Sequence, residues 1–206
     1  MNTALTRLLE RAKGPLGSPV EVELGGGVSR ELAGLLSRLN GFALFDYGVQ
    51  VFHAGPRGLG PELAAWNAVD TWKDTYGGLA DGLLCFAQDL FGVQFAIEDD
   101  RRVVAFDPET GERTALGTGL DSWAGWLQEK PGTRGAAAFA RLWQDTHGAL
   151  GHDERLLPVT PFVLGGEYRL DNLVVRDAVT ALRIRGPVAQ QIHDLPDGTP
   201  VSFTVT

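Results

Sequence analysis

Gly82 to Asp107, GLLCFAQDLFGVQFAIEDDRRVVAFD, is the stretch whose reading decides the fold. It holds the densest run of strand-forming residues in the chain, punctuated by clear turns. Leu83 to Leu90 and Val93 to Ile97 are separated by Phe91-Gly92, where glycine accepts the positive φ of a tight hairpin. Glu98 to Arg101 forms a charged reversal, and Val103 to Phe106 returns as a third strand. Asp107-Pro108-Glu109-Thr110-Gly111 supplies the next turn, with proline presetting φ and glycine at the left-handed position. The spacing predicts an antiparallel meander. Phe86, Gln88 and Leu90 alternate with Cys85, Ala87 and Asp89, so neither face of the sheet is wholly polar and helices must cover at least one. The fold class expected is α+β, a central antiparallel meander sheet covered by helices.

Working outward, the 206 residues are 44% hydrophobic, enough for a substantial core. No run approaches the roughly 20 apolar residues of a membrane span, and Met1 to Gly14 has a helical pattern rather than that of a signal peptide, which gives a cytoplasmic expectation. The single Cys85 has no disulfide partner within the chain and reads as a small core residue. A net charge of −8 argues against direct nucleic-acid binding, which needs clustered Lys and Arg. Residues 1–100 hold 13 acids and 7 bases, so most of the excess lies in the first half, where it suits either solubility or a basic protein partner.

Before the meander, Ala4, Leu5, Leu8, Leu9 and Ala12 share one face of a short helix ending at Gly14-Pro15. Val20 to Leu24 alternates with Glu21 and Glu23 as an edge strand. Gly25-Gly26-Gly27 lacks the Lys-Ser/Thr ending of a phosphate loop and reads as a turn. Ser29 is placed to cap a helix carrying Leu32, Leu35, Leu36 and Leu39, which ends at Asn40-Gly41. Phe42 to Phe52 reads as strand, broken at Gly48. Leu63, Trp66, Val69, Trp72 and Tyr76 recur every three or four residues and predict one amphipathic helix packed on the sheet.

After the meander, Thr114 to Leu116 adds a fourth strand, and Asp121 is placed to cap a helix bearing Trp123, Trp126 and Leu127 that stops at Lys130-Pro131-Gly132. Phe139, Leu142, Trp143 and Thr146 line one side of the next helix. Gly148 to Arg155 is polar and punctuated, giving a core over residues 1–147, a linker over 148–155 and an extension over 156–206 packed on that core. Within the extension, Leu156 to Leu164 carries two prolines and reads as extended or edge chain. Asp177 caps a short helix that Gly186-Pro187 breaks and restarts, and Val201, Phe203 and Val205 alternate as a final strand after the Pro196-Asp197-Gly198 turn. Some 50 residues are too few for an independent core.

Chemistry-bearing patterns are sparse. His53, His147, His152 and His193 are scattered, and His147 and His152 are not four apart as a helical ligand pair would be. There is no Gly-x-Ser-x-Gly elbow, and Ser122 near a helix start reads as a local capping residue. Glu98, Asp99 and Asp100 sit adjacent on a turn rather than across a cleft, which is unlike a glycosidase pair. Asp107, Glu109 and Glu112 lack the glycine and terminal acid of a calcium loop. The expectation is a protein that is not an enzyme, with no catalytic residue, cofactor or metal.

The order of elements does resemble a known family. The leucine-rich helix ending in Asn40-Gly41, the aromatic strand, the next helix, GLLCFAQDLFGVQFAI, VVAFDPETGE and the Trp-bearing helix are similar to the SUKH superfamily, which includes bacterial Smi/Knr-type proteins. The likeness covers roughly Ser29 to Lys130, and LGGEYRLDNLVVRDAV with QIHDLPDG is similar to an extension in some bacterial members. The resemblance implies that residues 1–147 are a SUKH-like α+β core. It also implies service as an immunity protein that binds and neutralises a cognate polymorphic toxin, often a nuclease. The alternative is a regulatory or scaffolding adaptor for a host protein. Acids beside turns reach solvent without being needed for packing. Of Asp46, the Glu98 to Asp100 group, Asp107, Glu109 and Glu112, we take Glu98, Asp99 and Asp100 as the candidate protein-binding residues. The sequence specifies no oligomeric state.

Overall fold

The computed structural model describes residues 3–196, 198 and 199. The chain runs through helices α1 (Ala4–Leu9) and α2 (Gly27–Leu36), then strands β1 (Phe42–Leu44) and β2 (Val49–Val51). Helix α3 (Leu63–Asn67) precedes the meander strands β3 (Leu83–Asp89), β4 (Gln94–Glu98), β5 (Arg102–Phe106) and β6 (Arg113–Gly117). Helices α4 (Leu120–Glu129), α5 (Pro131–Arg134) and α6 (Ala137–His147) follow, and strands β7 (Glu154–Pro158) and β8 (Leu173–Asp177) lead into α7 (Ala178–Ile192). Strands β1 to β6 form one antiparallel sheet in chain order, and β7 pairs with β8 alone. The fold is α+β around a helix-covered antiparallel meander, as the turn chemistry of residues 82–111 requires. Among the described residues, no helix is long and apolar enough to cross a membrane.

Helices cover both faces of the sheet. On one, Phe86 and Phe95 meet Trp123 of α4 edge-on, with ring centroids 5.2 and 5.7 Å away. On the other, Trp72 and Tyr76 pack on Phe106, while the Trp66 indole donates to buried Gln94. Cys85 is fully buried, and desolvation pushes its thiol up to about 12, as expected of an inert core residue.

The aromatic stripe is buried as its period predicts, but not on a single helix. Helix α3 ends at Asn67, and Trp72 and Tyr76 sit on a separate 3₁₀ turn, Lys73–Tyr76. The cause is Asn67, whose amide donates to the Cys85 carbonyl and accepts from the Cys85 N–H, extending the β3 ladder sideways. Val69, which one continuous helix would have buried, is 67% exposed.

Other expectations need correction. Val20 to Leu24 forms no strand, because Lys13 takes the edge of β1 through two 2.8 Å bonds with Ala43. Phe42 to Phe52 is interrupted through Gly48 as expected, and the break is a hairpin turn by Phe45, Asp46 and Tyr47, all at positive φ, between two paired strands. Leu142 and Thr146 lie on the exposed side of α6, where only Ala140 and Trp143 are buried. Glu154 and Arg155, placed in the linker by their polarity, begin β7. Asp177 does cap α7, but the helix runs straight through Gly186-Pro187. There Gly186 lies so close to the Thr75 backbone that a Cβ would meet it at 2.5 Å, and this docking outweighs the local break signal. Val201, Phe203 and Val205, with Asp197 of the preceding turn, lie outside the described residues.

The caps also depart from local expectation. Ser29 and Asp121 do not cap their own helices; instead, carboxylates are exchanged between elements. Asp100 accepts from the Ser29 N–H in the first turn of α2 at 2.8 Å, Glu31 of α2 accepts from the Leu120 N–H at the start of α4 at 3.0 Å, and Asp121 of α4 accepts from Leu5 of α1 at 2.8 Å. Each satisfies a backbone donor that a helix end leaves free, so capping also ties the elements together. Glu31→Ala is expected to cost about 1 kcal/mol, read as a lower denaturation midpoint. Glu31→Gln, which retains the acceptor, should restore most of it.

Candidate functional site

The acidic turn chosen from the sequence is largely tied into the scaffold. Glu98 is 6% exposed and lies between Arg113, at 2.7 Å, and Arg102, at 2.5 Å. The hydrogen bond from Arg113, then that from Arg102, holds its carboxyl below the usual range against the opposing effect of burial. Asp99 and Asp100 both adopt positive φ at the centre of the β4–β5 hairpin, closed by Arg101 N–H to Glu98 C=O at 3.1 Å. Aspartate tolerates that left-handed geometry, so backbone conformation accounts for the residue type. Asp100 is engaged with α2, and bonding to Ser29 lowers its pKa. Asp99 remains exposed, with neither an ion pair nor a side-chain hydrogen bond among the described residues.

The remaining turns meet at the opposite end of the sheet. The β1–β2 turn brings Asp46, which pairs with Lys13 and Arg141, both at 2.9 Å. The β3–β4 turn brings Phe91, and the β5–β6 turn brings Asp107 and Glu109. Together with α5, α6, the segment from Phe162 to Tyr168 and Arg185 of α7, the β3–β4 and β5–β6 turns enclose a cleft of about 620 Å³. A second chamber of about 330 Å³ shares Glu109 and Arg185 with it.

Its walls are aromatic. Phe91 meets Phe139, Phe162 and Tyr168 edge-on at 5.4–5.5 Å, and Phe162 stacks on Tyr168 at 3.9 Å. Leu90 and Phe91 join Ala140, Trp143, Leu156 and Leu173 in a second small core, which attaches the β7–β8 unit to the sheet.

Charged groups lie at the base of the cleft. One Asp89 oxygen accepts from the Phe91 and Val93 N–H groups at 2.9 Å, which fixes the hairpin. Burial pushes the Asp89 carboxyl up to about 6, an effect that these bonds and the charges of Arg185 and Arg155 only partly offset. Arg185, 4% exposed, donates through Nη1 to the Phe91 carbonyl at 2.6 Å and through Nε to that of Ala181 at 3.0 Å. Its Nη2 lies over Gly92, whose φ of +86° and absent Cβ make room for it. Glu109, 5% exposed, accepts from the Val163 N–H at 2.9 Å, and burial raises its pKa. Arg185 Nη2 and Glu109 Oε1 are buried without hydrogen-bond partners among the described residues, an arrangement costly enough to merit a functional explanation.

The surrounding surface is unusually apolar. Nine large apolar side chains are exposed among the described residues, and seven of them (Leu142, Val159, Val163, Leu164, Tyr168, Ile184 and Leu195) line this cleft or depressions that share residues with it. Contiguous exposed apolar patches of this kind are uncommon on monomeric proteins.

The four histidines remain apart. His53 is buried, His147 stacks on Trp143, His152 meets Tyr47 edge-on, and His193 contacts the Thr110 carbonyl. Among the described residues, no group of three or more His, Cys, Asp or Glu is placed to hold a metal ion. In sequence Asp107 and Glu109 read as turn acids and Asp89 as an alternating strand residue, and nothing local gives Tyr168 or Arg185 a site role. The one local sign was Phe91, a large aromatic in a turn position where burial needs a distant partner.

No protein-family profile matches the chain, and no curated protein matches it. The structure is similar to the crystal structure of Atu4351 from Agrobacterium tumefaciens, with a TM-score of 0.58 and 15% sequence identity, over 91% of this chain and 89% of that one. The uncovered remainder of this chain is shorter than the segment after His147, so the likeness extends into the C-terminal unit. At that identity the likeness is one of fold alone.

Proposed function

We propose that the chain is a non-catalytic protein-binding module of the SUKH type, a bacterial immunity protein that acts in the cytoplasm by neutralising a cognate toxin. The observation that carries the binding reading is the gathering of exposed apolar side chains around one concave, aromatic-walled end of the sheet. Protein interfaces concentrate their energy in buried aromatic and arginine anchors of this kind, ringed by contacts that exclude water. The order of elements that resembles SUKH proteins supports the narrower assignment. Asp99 supplies an accessory charge at the opposite end of the sheet, suited to steering a basic partner more than to holding it.

The test is binding of the purified chain to the toxin encoded beside it, measured by calorimetry. Tyr168→Glu combined with Leu142→Glu is expected to weaken the complex by about 2 kcal/mol or more, as loss of a hot spot does, with circular dichroism checking that the fold survives the loss of the Tyr168–Phe162 stack. Asp99→Lys is expected to slow association at low salt and to have little effect at high salt. Glu98 and Asp100 are unsuitable for that comparison, because their replacement disturbs an ion-pair network and a helix cap. Unchanged affinity in the double variant would remove the apolar end from the interface.

A further inference from the structure

The cleft is more specific in its chemistry than an apolar docking face. We propose that it receives a basic side chain of the protein partner, an arginine or lysine whose aliphatic stem lies among Phe91, Phe139, Phe162 and Tyr168 and whose charged head meets Asp89. This inference deepens the protein-binding reading and rests on it.

Three observations converge. Phe91, Phe139, Phe162 and Tyr168 line a volume of about 620 Å³; aromatic rings attract a cation, and their apolar surface accepts its stem. The base is predominantly acidic: Asp89, Asp107 and Glu109 line the cleft against the single cation Arg185. Arg185 is itself held by the Phe91 and Ala181 carbonyls, and Glu109 lies beside it in both chambers. Arg155, beneath Asp89, is buried and bonded to Gln50 and the Glu154 carbonyl, and does not line the cleft. Finally, one Asp89 oxygen is taken by two backbone N–H groups, and the other, with no hydrogen-bond partner among the described residues, can accept from a guest. Glu109, whose buried Oε1 has no partner among the described residues, adds to the acidic lining. An anionic guest would face three carboxyl groups against one guanidinium, whereas a cation gains from that acidic excess.

Because Asp89 titrates near 6, the attraction should be present at neutral pH and fade on acidification. The charges acting on that titration are Arg185 of α7 and Arg155 of β7, with Tyr168 facing it from the 162–168 segment. A guanidinium guest stays protonated throughout that range.

The experiment titrates the full chain with benzylguanidine, its neutral analogue benzylurea and the anion phenylacetate, followed by NMR. At pH 7.5, benzylguanidine should bind saturably and shift the signals of Phe91 and Tyr168, and benzylurea and phenylacetate should bind far more weakly. Asp89→Asn, which keeps the oxygen that accepts the two backbone bonds, should weaken benzylguanidine by about tenfold or more, as should lowering the pH of the wild type to 5. Tyr168→Ala should weaken it independently. Equal binding of benzylurea, tighter binding of phenylacetate, or indifference to Asp89→Asn would each overturn the inference. If benzylguanidine fails to bind while Tyr168→Glu with Leu142→Glu still disrupts the toxin complex, the cation site is lost and the protein-binding reading stands. If benzylguanidine binds as expected in a chain that engages no toxin, the cation site stands and that reading is lost.

Discussion

Trp72→Ala is expected to destabilise the protein by about 3–5 kcal/mol, the usual cost of truncating a fully buried large aromatic. Trp72 has no exposed surface and lies within ring contact of Trp66, Tyr76 and Phe106. Its indole N–H donates to the Trp66 carbonyl at 2.9 Å, so truncation opens a cavity and also orphans an acceptor. Trp66→Ala, at a site 4% exposed, should cost a similar amount, because it leaves the Gln94 side-chain oxygen without its donor. Against a total stability of roughly 5–15 kcal/mol, either loss is large. Urea denaturation followed by circular dichroism reads both, and near-wild-type midpoints would contradict the burial of this layer.

Asp89→Asn should act in the opposite direction. The folded carboxyl titrates near 6, against an ordinary value of 3.8, because burial disfavours its charge. For an acid raised in this way, the folded state binds its proton more tightly than the unfolded chain. The resulting stability is fully present below about pH 4 and is lost as pH rises through 6. Above that window the wild type holds an ionised carboxylate in a poorly solvated place, at a cost of roughly 2–3 kcal/mol. Asparagine retains an oxygen for the Phe91 and Val93 N–H groups without the charge, so the variant should be the more stable at pH 7.5 and about equal to the wild type at pH 4. Paired denaturation curves at those two values decide the matter. A variant less stable than wild type at neutral pH would mean that the charges of Arg185 and Arg155 outweigh desolvation. If Asp89 meets a cation as proposed, stability given up at that residue is the expected accompaniment of binding.

The two positions differ in how legible they were. The burial of Trp66, Trp72 and Tyr76 was legible because large aromatics recurring every three or four residues need a common core, but the spacing misplaced Val69, which the break after Asn67 turns outward. Asp89 declared nothing. In sequence it is a polar residue near the end of a strand, and its burial depends on α6, the 162–168 segment and α7, none of which is adjacent in the chain. The acidic turn erred in the other direction. Glu98, Asp99 and Asp100 look like a solvent-facing cluster, but the local sequence cannot reveal that Arg113 lies across the sheet or that the first turn of α2 lies within reach of Asp100.

By itself the sequence determined the meander, since the Phe91-Gly92, Glu98 to Arg101 and Asp107 to Gly111 turns are local chemistry and strand alternation follows from the pleat. It also determined the inward aromatic stripes and the Asp177 cap of α7. Only the tertiary structure decided which turns share an end of the sheet, that α7 continues through Gly186-Pro187, and that Asp89, Glu109 and Arg185 meet beneath four aromatic rings. The physical reason is range: turn and helix signals act over a few residues, whereas desolvation and charge pairing act between groups that only the completed packing brings together.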